Sequence, residues 1–214
     1  MSKTLYSKYD KQQIPLLPTV AFEGRIHVVL SVGEAERAVK FLLSQPLLGI
    51  DTETRPSFAR GRQNKVSLLQ VSTETVCFLF RLQYTGFSPA IQQLLEDTTV
   101  PKIGLSLHDD INSLSQLGKF KPGAFIDLQN EVRHFGIEDL SLQKLYANFF
   151  GQRISKRMQL SNWDAQVLND KQKLYAATDA WACVMLWNEM NRLRQNGDFE
   201  TINTSITPDE TDIP

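Results

Sequence analysis

Asp51 and Glu53 form the first pair of side chains in this 214-residue sequence that could do chemistry. They directly follow a short apolar run that ends at Ile50 and predicts a strand buried on both faces. Residues two apart on a strand project to the same face, so both carboxylates would emerge where open α/β sheets bind their ligands. Two desolvated carboxylates repel each other unless a cation compensates them. The alternative is that this strand end is simply solvated.

Two more acids, Asp110 and Asp179, lie on predicted helices. In the first helix Asp110 shares the apolar stripe that includes Leu107, whereas Asp109 points about 100° away and faces solvent. In the last helix Asp179 lies one turn after Tyr175, among small residues that leave room for an approaching group. The alternatives are a buried salt bridge for Asp110 and a Tyr–Asp pair at the edge of a core contact.

Together these four carboxylates could meet at one edge of the sheet. No Cys or His is placed to complete a soft-metal site, and oxygen ligands alone are typical of Mg²⁺ or Mn²⁺ sites. Two such ions, roughly 4 Å apart, commonly clamp an in-line displacement at phosphorus. The residue types therefore indicate phosphoryl chemistry with two divalent cations as cofactors.

The three segments that carry these acids resemble motifs I, II and III of the DEDDy-type 3′–5′ exonucleases, a family of the DnaQ-like superfamily. They read GIDTET from Gly49, GLSLHDD from Gly104 and YAATD from Tyr175. The DEDDh subgroup would have a histidine where this chain has Leu174. With the added segment LSNW from Leu160, the chain is similar to the exonuclease domain of the Werner syndrome helicase and, more distantly, to ribonuclease D.

This resemblance implies a metal-dependent 3′–5′ exonuclease that removes nucleoside monophosphates by two-metal-ion phosphodiester hydrolysis. It implies that Asp51, Glu53 and Asp179 coordinate the tighter ion, and that Asp51 bridges to the second. It also implies that Asp110 acts in the second ion's shell, mostly through water, and that Tyr175 orients the attacking water. A free tyrosine has a pKa of about 10, so deprotonation of the water is assigned mainly to the metal.

Basic residues suggest where nucleic acid, as DNA or RNA, would bind. The formal net charge is −1, but residues 198–214 carry five acids and no Lys or Arg, which leaves +4 on the rest. Residues 55–65 and 151–163 are basic stretches without an acid, and such patches can bind phosphates. The alternative is that they are solvated loops. The residues expected to contact nucleic acid are Thr52, Arg60, Arg62, Lys65, Lys156 and Arg157.

The elements that must position these residues follow an α/β pattern. Strands are predicted at residues 25–30, 46–50, 65–72, 76–80, 101–105 and 124–127. Helices are predicted at residues 34–43, 88–96, 106–118, 128–135, 141–150 and 170–195. This order predicts a mixed sheet covered by helices. The family resemblance adds a ribonuclease-H-like fold with about five strands. Asp127 is expected to cap a helix, and Trp163 to anchor its loop by packing.

Composition sets the remaining expectations. We expect an extended N-terminal arm over residues 1–24, the exonuclease domain over 25–197 and an acidic, flexible tail over 198–214. No apolar stretch reaches the roughly 18 residues of a membrane span, and no secretory signal is visible, so a cytoplasmic protein without a membrane partner is expected. Two distant cysteines exclude a disulfide scaffold. No nucleotide cofactor is expected, and the oligomeric state is left open.

Two other functions remain compatible with the sequence. The first is a catalytically inactive relative that only binds nucleic acid. The second is an interaction module that shares the fold and has no role with nucleic acid.

Overall fold

A six-stranded mixed sheet lies at the centre of the computed structural model, which describes residues 2–57 and 64–204. The strands of the described part are β1 Lys3–Tyr6, β2 Thr19–Val20, β3 Arg25–Val29, β4 Leu48–Thr54, β5 Val66–Ser72, β6 Val76–Arg81, β7 Lys102–Gly104, β8 Phe125–Asp127, β9 Arg153–Ile154 and β10 Phe199–Ile202. The α-helices are α1 Val32–Leu42, α2 Leu82–Thr85, α3 Pro89–Glu96, α4 Leu107–Ser115, α5 Leu128–Glu131, α6 Leu142–Phe150 and α7 Asp170–Asn196.

The central sheet has the strand order β3-β6-β5-β4-β7-β8. Strand β4 pairs antiparallel with β5 and parallel with β7, so it is an interior strand as predicted. The predicted hairpin between β5 and β6 is confirmed. Strand β4 does not stop at Ile50 but continues to Thr54, because β5 supplies hydrogen-bonding partners along this whole length. Asp51 and Glu53 therefore lie within the sheet.

Helix α7 crosses one face of the sheet at very close range. A Cβ atom on Gly49 of β4 would lie 1.9 Å from the carbonyl oxygen of Ala180, so only glycine fits there. Ala176, Ala177 and Ala180 are all fully buried. The room left by these small residues is therefore filled by the sheet itself, not by a substrate. The long helix is confirmed, although Leu174, predicted on its apolar stripe, is 38% exposed.

The opposite face of the sheet is covered by α1 and α3. Leu48 and Ile50 of β4 point to that side and pack in one hydrophobic cluster with the buried residues of both helices. Because neighbouring residues of a strand point to opposite faces, Asp51 and Glu53 point toward α7 instead. No helix in the described part is long and apolar enough to cross a membrane.

Both chain ends contribute to a small parallel sheet that local patterns did not predict. Strand β1 pairs with β10, so Phe199–Ile202, at the start of the predicted tail, form a regular strand. Leu5 of β1 is fully buried, and the N-terminal arm is therefore packed on the body of the protein. These pairings join residues nearly 200 positions apart, which local sequence patterns do not reveal. Residues 205–214 lie outside the described part, and the predicted domain boundaries stay a prediction.

Candidate active site

Strand β4 and helix α7 bring three carboxylates together. Asp51 and Glu53 project from β4 toward α7, and Asp179 meets them from the helix. Ligand oxygens of the three side chains all lie within 4.8 Å of one another. The close approach of the two backbones at Gly49 is what allows this short separation. The pairing of the first acidic segment with the last, expected from the sequence, is present in the structure.

The fourth acid, Asp110, reaches the same region from α4. Its carboxylate accepts a hydrogen bond from the hydroxyl of Thr52 on β4. Asp110 stands outside the tight group of three, yet its charge is close enough to raise the pKa of Asp51. Its partner in the described part is a hydroxyl, so the alternative of a buried salt bridge is not what the structure contains. Asp109 is exposed, as its helical phase predicts.

Burial raises the pKa values of all four acids, and repulsion from the other acids of the group adds to the rise at Asp51 and Glu53. Burial and the charges of Asp110 and Asp179 raise the pKa of Asp51 well above its ordinary value. The same causes raise the pKa of Glu53 to about 9. Burial raises the pKa of Asp179 to about 7, although Tyr175 and Lys156 oppose that shift. For Asp110 burial raises the pKa to about 6 against the hydrogen bond from Thr52.

A hard divalent cation fits this donor set. None of the four carboxylates forms an ion pair with a Lys, Arg or His in the part of the chain that the structure describes. Buried carboxylates that lack a cation are costly, and a metal ion with oxygen preference would compensate several of them at once. Asp51, Glu53 and Asp179 could hold one such ion, with Asp110 beside them.

Tyr175 lies one helical turn before Asp179 and faces the acids. Burial and the nearby charges of Asp179 and Glu53 raise the pKa of Tyr175, so its hydroxyl keeps its proton at neutral pH. The ring packs against Trp163 with the centroids 6.0 Å apart. Trp163 is fully buried, which confirms its predicted role as a packing anchor for the 160–164 loop.

A cavity of about 290 Å³ opens next to the acids. Its other walls come from the N-terminal end of α6 and from residues that follow β9. Lys156 lines this cavity and opposes the rise in the pKa of Asp179, so its charge faces the acids. Polar side chains that sequence reasoning missed also line it: Ser141, Gln143, Ser155 and Gln159. They come from segments without a motif, and no periodic signal could have selected them.

The other predicted nucleic-acid contacts have different positions. Thr52 lines the cavity, and its hydroxyl is already engaged with Asp110. Arg157 lines a neighbouring cavity of about 340 Å³ instead. Lys65 is exposed just before β5 and lines neither of these two cavities. Arg60 and Arg62 lie outside the described residues.

Gln70 is another residue that the sequence analysis missed. It pairs directly with Asp51 across β4 and β5, so both side chains lie on the face toward α7. Gln70 is fully buried, and its amide nitrogen and oxygen have no hydrogen-bond partner in the described part. A polar residue in the apolar run of β5 was the available signal.

These pKa shifts predict that metal ions stabilise the protein more at higher pH. A carboxyl group whose pKa is raised by folding binds its proton more tightly when folded, so its stabilising contribution is present at low pH. For Glu53 this contribution is lost between the ordinary value of 4.5 and about 9. We expect the metal-free unfolding temperature to fall over this range, and Mn²⁺ to raise it more at pH 8 than at pH 5.5.

Thermal unfolding with Mn²⁺ or with EDTA, at both pH values, measures this effect. The Glu53→Gln variant should lose much of the pH dependence, whereas Glu36→Gln on the surface of α1 should keep it. A Mn²⁺-induced shift that is equal at both pH values, or larger at pH 5.5, would contradict the prediction.

Comparison with known proteins gives a consistent result. Residues 26–194 match a family model described as 3′–5′ exonuclease. The chain is 28% identical over 164 residues to the bifunctional 3′–5′ exonuclease/ATP-dependent helicase WRN of Mus musculus, covering 73% of this chain and 12% of that protein. It is 26% identical over 222 residues to a 3′–5′ exonuclease of Arabidopsis thaliana, covering 90% of this chain and 73% of that protein. The chain therefore spans only a small part of the mouse protein.

Two solved structures share the fold. The EXO domain of Nibbler from Aedes aegypti superposes with a TM-score of 0.72 at 22% identity, covering 82% of this chain and 91% of that one. An RNase D of Trypanosoma brucei, solved in complex with RNA U12, superposes with a TM-score of 0.70 at 24% identity, covering 79% and 63%. These matches confirm the predicted ribonuclease-H-like architecture, with six strands in the central sheet rather than about five.

Proposed function

Since this chain belongs to the 3′–5′ exonuclease family, we propose that it removes nucleoside monophosphates from the 3′ end of nucleic acid. The observation that carries this proposal is the buried group of Asp51, Glu53 and Asp179, whose oxygens lie within 4.8 Å of one another. Carboxylate oxygens grouped in this way are the ligands that hard divalent cations prefer.

We propose that the reaction depends on divalent cations held by these three residues, with Asp110 in the surroundings of a second ion. When bound, two such ions would supply Lewis-acid activation of the attacking water and stabilisation of the charge on the phosphate. The choice between Mg²⁺ and Mn²⁺ is decided by experiment, because both accept carboxylate oxygens.

The protein's own groups would position the reactants. The attacking water forms the new bond to phosphorus as the bond from phosphorus to the 3′ oxygen breaks, which releases a nucleoside 5′-monophosphate. Tyr175 keeps its proton at neutral pH, so we infer that it holds the water by hydrogen bonding. Lys156 faces the same cavity and would neutralise an oxygen of the phosphate.

The proposal is tested by following the degradation of end-labelled oligonucleotides. With a 5′ label, loss from the 3′ end gives a ladder of shortening products, and EDTA should stop it. Single-stranded and 3′-recessed DNA and RNA, each with Mg²⁺ and Mn²⁺, identify the substrate. RNA belongs in this panel because one structural neighbour is an RNase D in complex with RNA. Binding without degradation under every condition would instead indicate the inactive relative.

Tyr175→Phe is expected to lower the turnover rate by roughly 10- to 100-fold, because the water loses one positioning hydrogen bond while the metal ligands stay in place. Single-turnover kinetics measure the rate, and calorimetry with Mn²⁺ measures whether metal binding is unchanged. Tyr6→Phe in β1 is the matched control, since that residue does not line the cavity. Loss of Mn²⁺ binding in Tyr175→Phe, or an unchanged rate, would contradict this role.

Lys156→Ala is expected to weaken single-strand binding and to reduce the slope of log K against log salt concentration by about one contact, roughly 0.7. Fluorescence anisotropy in EDTA, at several salt concentrations, measures this slope without degradation. Lys40→Ala is the matched control, because Lys40 is an exposed residue of α1, on the opposite face of the sheet from the acids. Equal slopes for wild type and Lys156→Ala would remove Lys156 from the nucleic-acid site.

A further inference from the structure

Helix α4, which carries Asp110, begins at a strained residue. Ser106 precedes the helix with φ 62° and ψ 37°, in the left-handed region that serine rarely adopts. It is the one non-glycine residue with a positive φ in the described part of the chain. The side chain of Ser106 makes no capping hydrogen bond to α4, so the strain is not offset from within this segment.

Asp127, at the end of β8, holds this turn from a neighbouring strand. Its carboxylate accepts hydrogen bonds from the backbone N–H of Ser106 at 3.1 Å and of Leu107 at 2.8 Å. The same carboxylate accepts from the N–H of Gln129 at 2.9 Å, as the N-cap of α5. The prediction that Asp127 caps a helix is thus confirmed. The structure shows that the same carboxylate also accepts hydrogen bonds at the start of a second helix, α4, which is distant in sequence.

Close packing on both sides limits how far the turn before α4 can move. Gly104 pairs with Asp127 where β7 and β8 end, so the carboxylate stands beside the start of the turn. A Cβ atom on Gly104 would lie 2.9 Å from the carbonyl oxygen of Ile50 and 2.4 Å from the side chain of Leu107. Close packing below the turn and the Asp127 carboxylate above it therefore set where α4 begins.

We propose that Asp127 is a positioning residue that keeps Asp110 at the metal site by holding Ser106 in its left-handed conformation. The inference rests on the proposed function. Asp110 lies in the first turn of α4, four residues after Ser106, so a change in the backbone at Ser106 moves it directly. Released from Asp127, the start of α4 relaxes, and the carboxylate of Asp110 leaves the hydroxyl of Thr52.

Asp127→Asn tests the proposal, because the amide keeps the shape and replaces one acceptor oxygen with a donor. We expect the rate of degradation to fall roughly 30- to 100-fold, because misplacing a catalytic group by about 1 Å can cost about 100-fold. We also expect calorimetry with a nucleoside 5′-monophosphate to show one bound Mn²⁺ where the wild type binds two, as for Asp110→Asn. Adding Ser106→Gly should restore at least part of the degradation rate and of the second Mn²⁺ site, because glycine adopts the left-handed conformation without the steric cost of a side chain.

Asp97→Asn is the matched control. Asp97 also accepts two backbone hydrogen bonds in a turn, from Thr99 at 2.9 Å and Val100 at 2.7 Å, but it does not hold α4. The Asp97→Asn substitution should lower the unfolding temperature without changing the number of Mn²⁺ ions bound. Amide hydrogen exchange at Leu107, measured without metal, should accelerate in Asp127→Asn and not in Asp97→Asn.

The outcomes separate the inference from the proposed function. Wild-type activity and two bound ions in Asp127→Asn would overturn the inference, as would lost activity that Ser106→Gly fails to restore. Unchanged exchange at Leu107 would overturn it as well. A wild-type protein that neither binds Mn²⁺ nor degrades any substrate would contradict the proposed function, and the exchange experiment would still decide whether Asp127 holds this turn.

Discussion

We expect Asp51→Asn to abolish the proposed degradation of end-labelled oligonucleotides, with a rate lower by roughly a thousandfold or more, because it would remove a charged ligand of the proposed metal ions. The charges of Asp110, Asp179 and Glu53 all raise the pKa of Asp51, so this residue interacts with each of the other three acids. Its loss would therefore affect every ion that the proposed site holds.

The same substitution should leave the metal-free fold intact. Asparagine keeps the shape of the side chain and cannot ionise, so it removes the cost of ionising a carboxyl group beside three other acids, and the unfolding temperature in EDTA at pH 8 should rise or stay constant. Mn²⁺ should then give a smaller stabilisation than in the wild type. Lost activity together with undiminished metal-free stability separates a site effect from misfolding.

Asp109→Asn provides the matched control for this experiment. It changes the same residue type in the same acidic segment as Asp110, but its side chain is exposed. We expect its rate to remain within about twofold of the wild type, as for most surface substitutions. Degradation by Asp51→Asn at the wild-type rate would exclude this carboxylate group as the active site.

Gly49→Ala has the second large effect, and it acts through the backbone. The added methyl group would lie 1.9 Å from the carbonyl oxygen of Ala180, and backbone atoms cannot rotate away as a side chain can. Helix α7 must move off the sheet, at a cost of about 3 kcal/mol in the free energy of unfolding. Because α7 carries Asp179, we expect the three-carboxylate group to open, and Mn²⁺ affinity and activity to fall together.

Urea unfolding measures the free energy of unfolding, calorimetry measures Mn²⁺ affinity, and oligonucleotide degradation measures activity. All three are measured at a temperature where the variant is folded. Gly33→Ala is the control, since a Cβ there meets only the end of Arg37 at 3.7 Å and the position is on α1. Alanine is the better helix former, so that variant should be as stable as the wild type or more so. A folded Gly49→Ala variant with normal Mn²⁺ affinity would show that the close contact of β4 with α7 does not build the site.

The regular elements were largely predictable, because their signals are local. The apolar run before Asp51 predicted an interior strand, and the short polar turn between β5 and β6 predicted their hairpin. Element ends were less accurate, since they depend on partners that are distant in sequence. Strand β4 extends to Thr54 because β5 pairs with it, whereas α4 ends at Ser115, three residues before the predicted Gly118.

The contacts around the site show the same difference between local signals and partners that are distant in sequence. Lys156 and Arg157 are adjacent and chemically alike in sequence, yet they line different cavities. Their segment has neither helical nor strand periodicity, so no pattern assigns its side chains to a face. The roles of Asp127 and Gln70 are also set by neighbouring strands, and only their position beside other elements reveals them.

By itself the sequence predicted which residues would carry the proposed chemistry, since side-chain type and spacing fix how two carboxylates share a strand face and how Tyr175 and Asp179 stack along a helix. Only the tertiary structure decided that α7 packs directly on Gly49, that Asp127 holds the start of α4, and which basic side chain faces the acids. The physical reason is the separation along the sequence over which each kind of signal acts. Periodicity and spacing act within one element, whereas the distances that make a metal site arise between elements whose approach is set by the packing of the whole core.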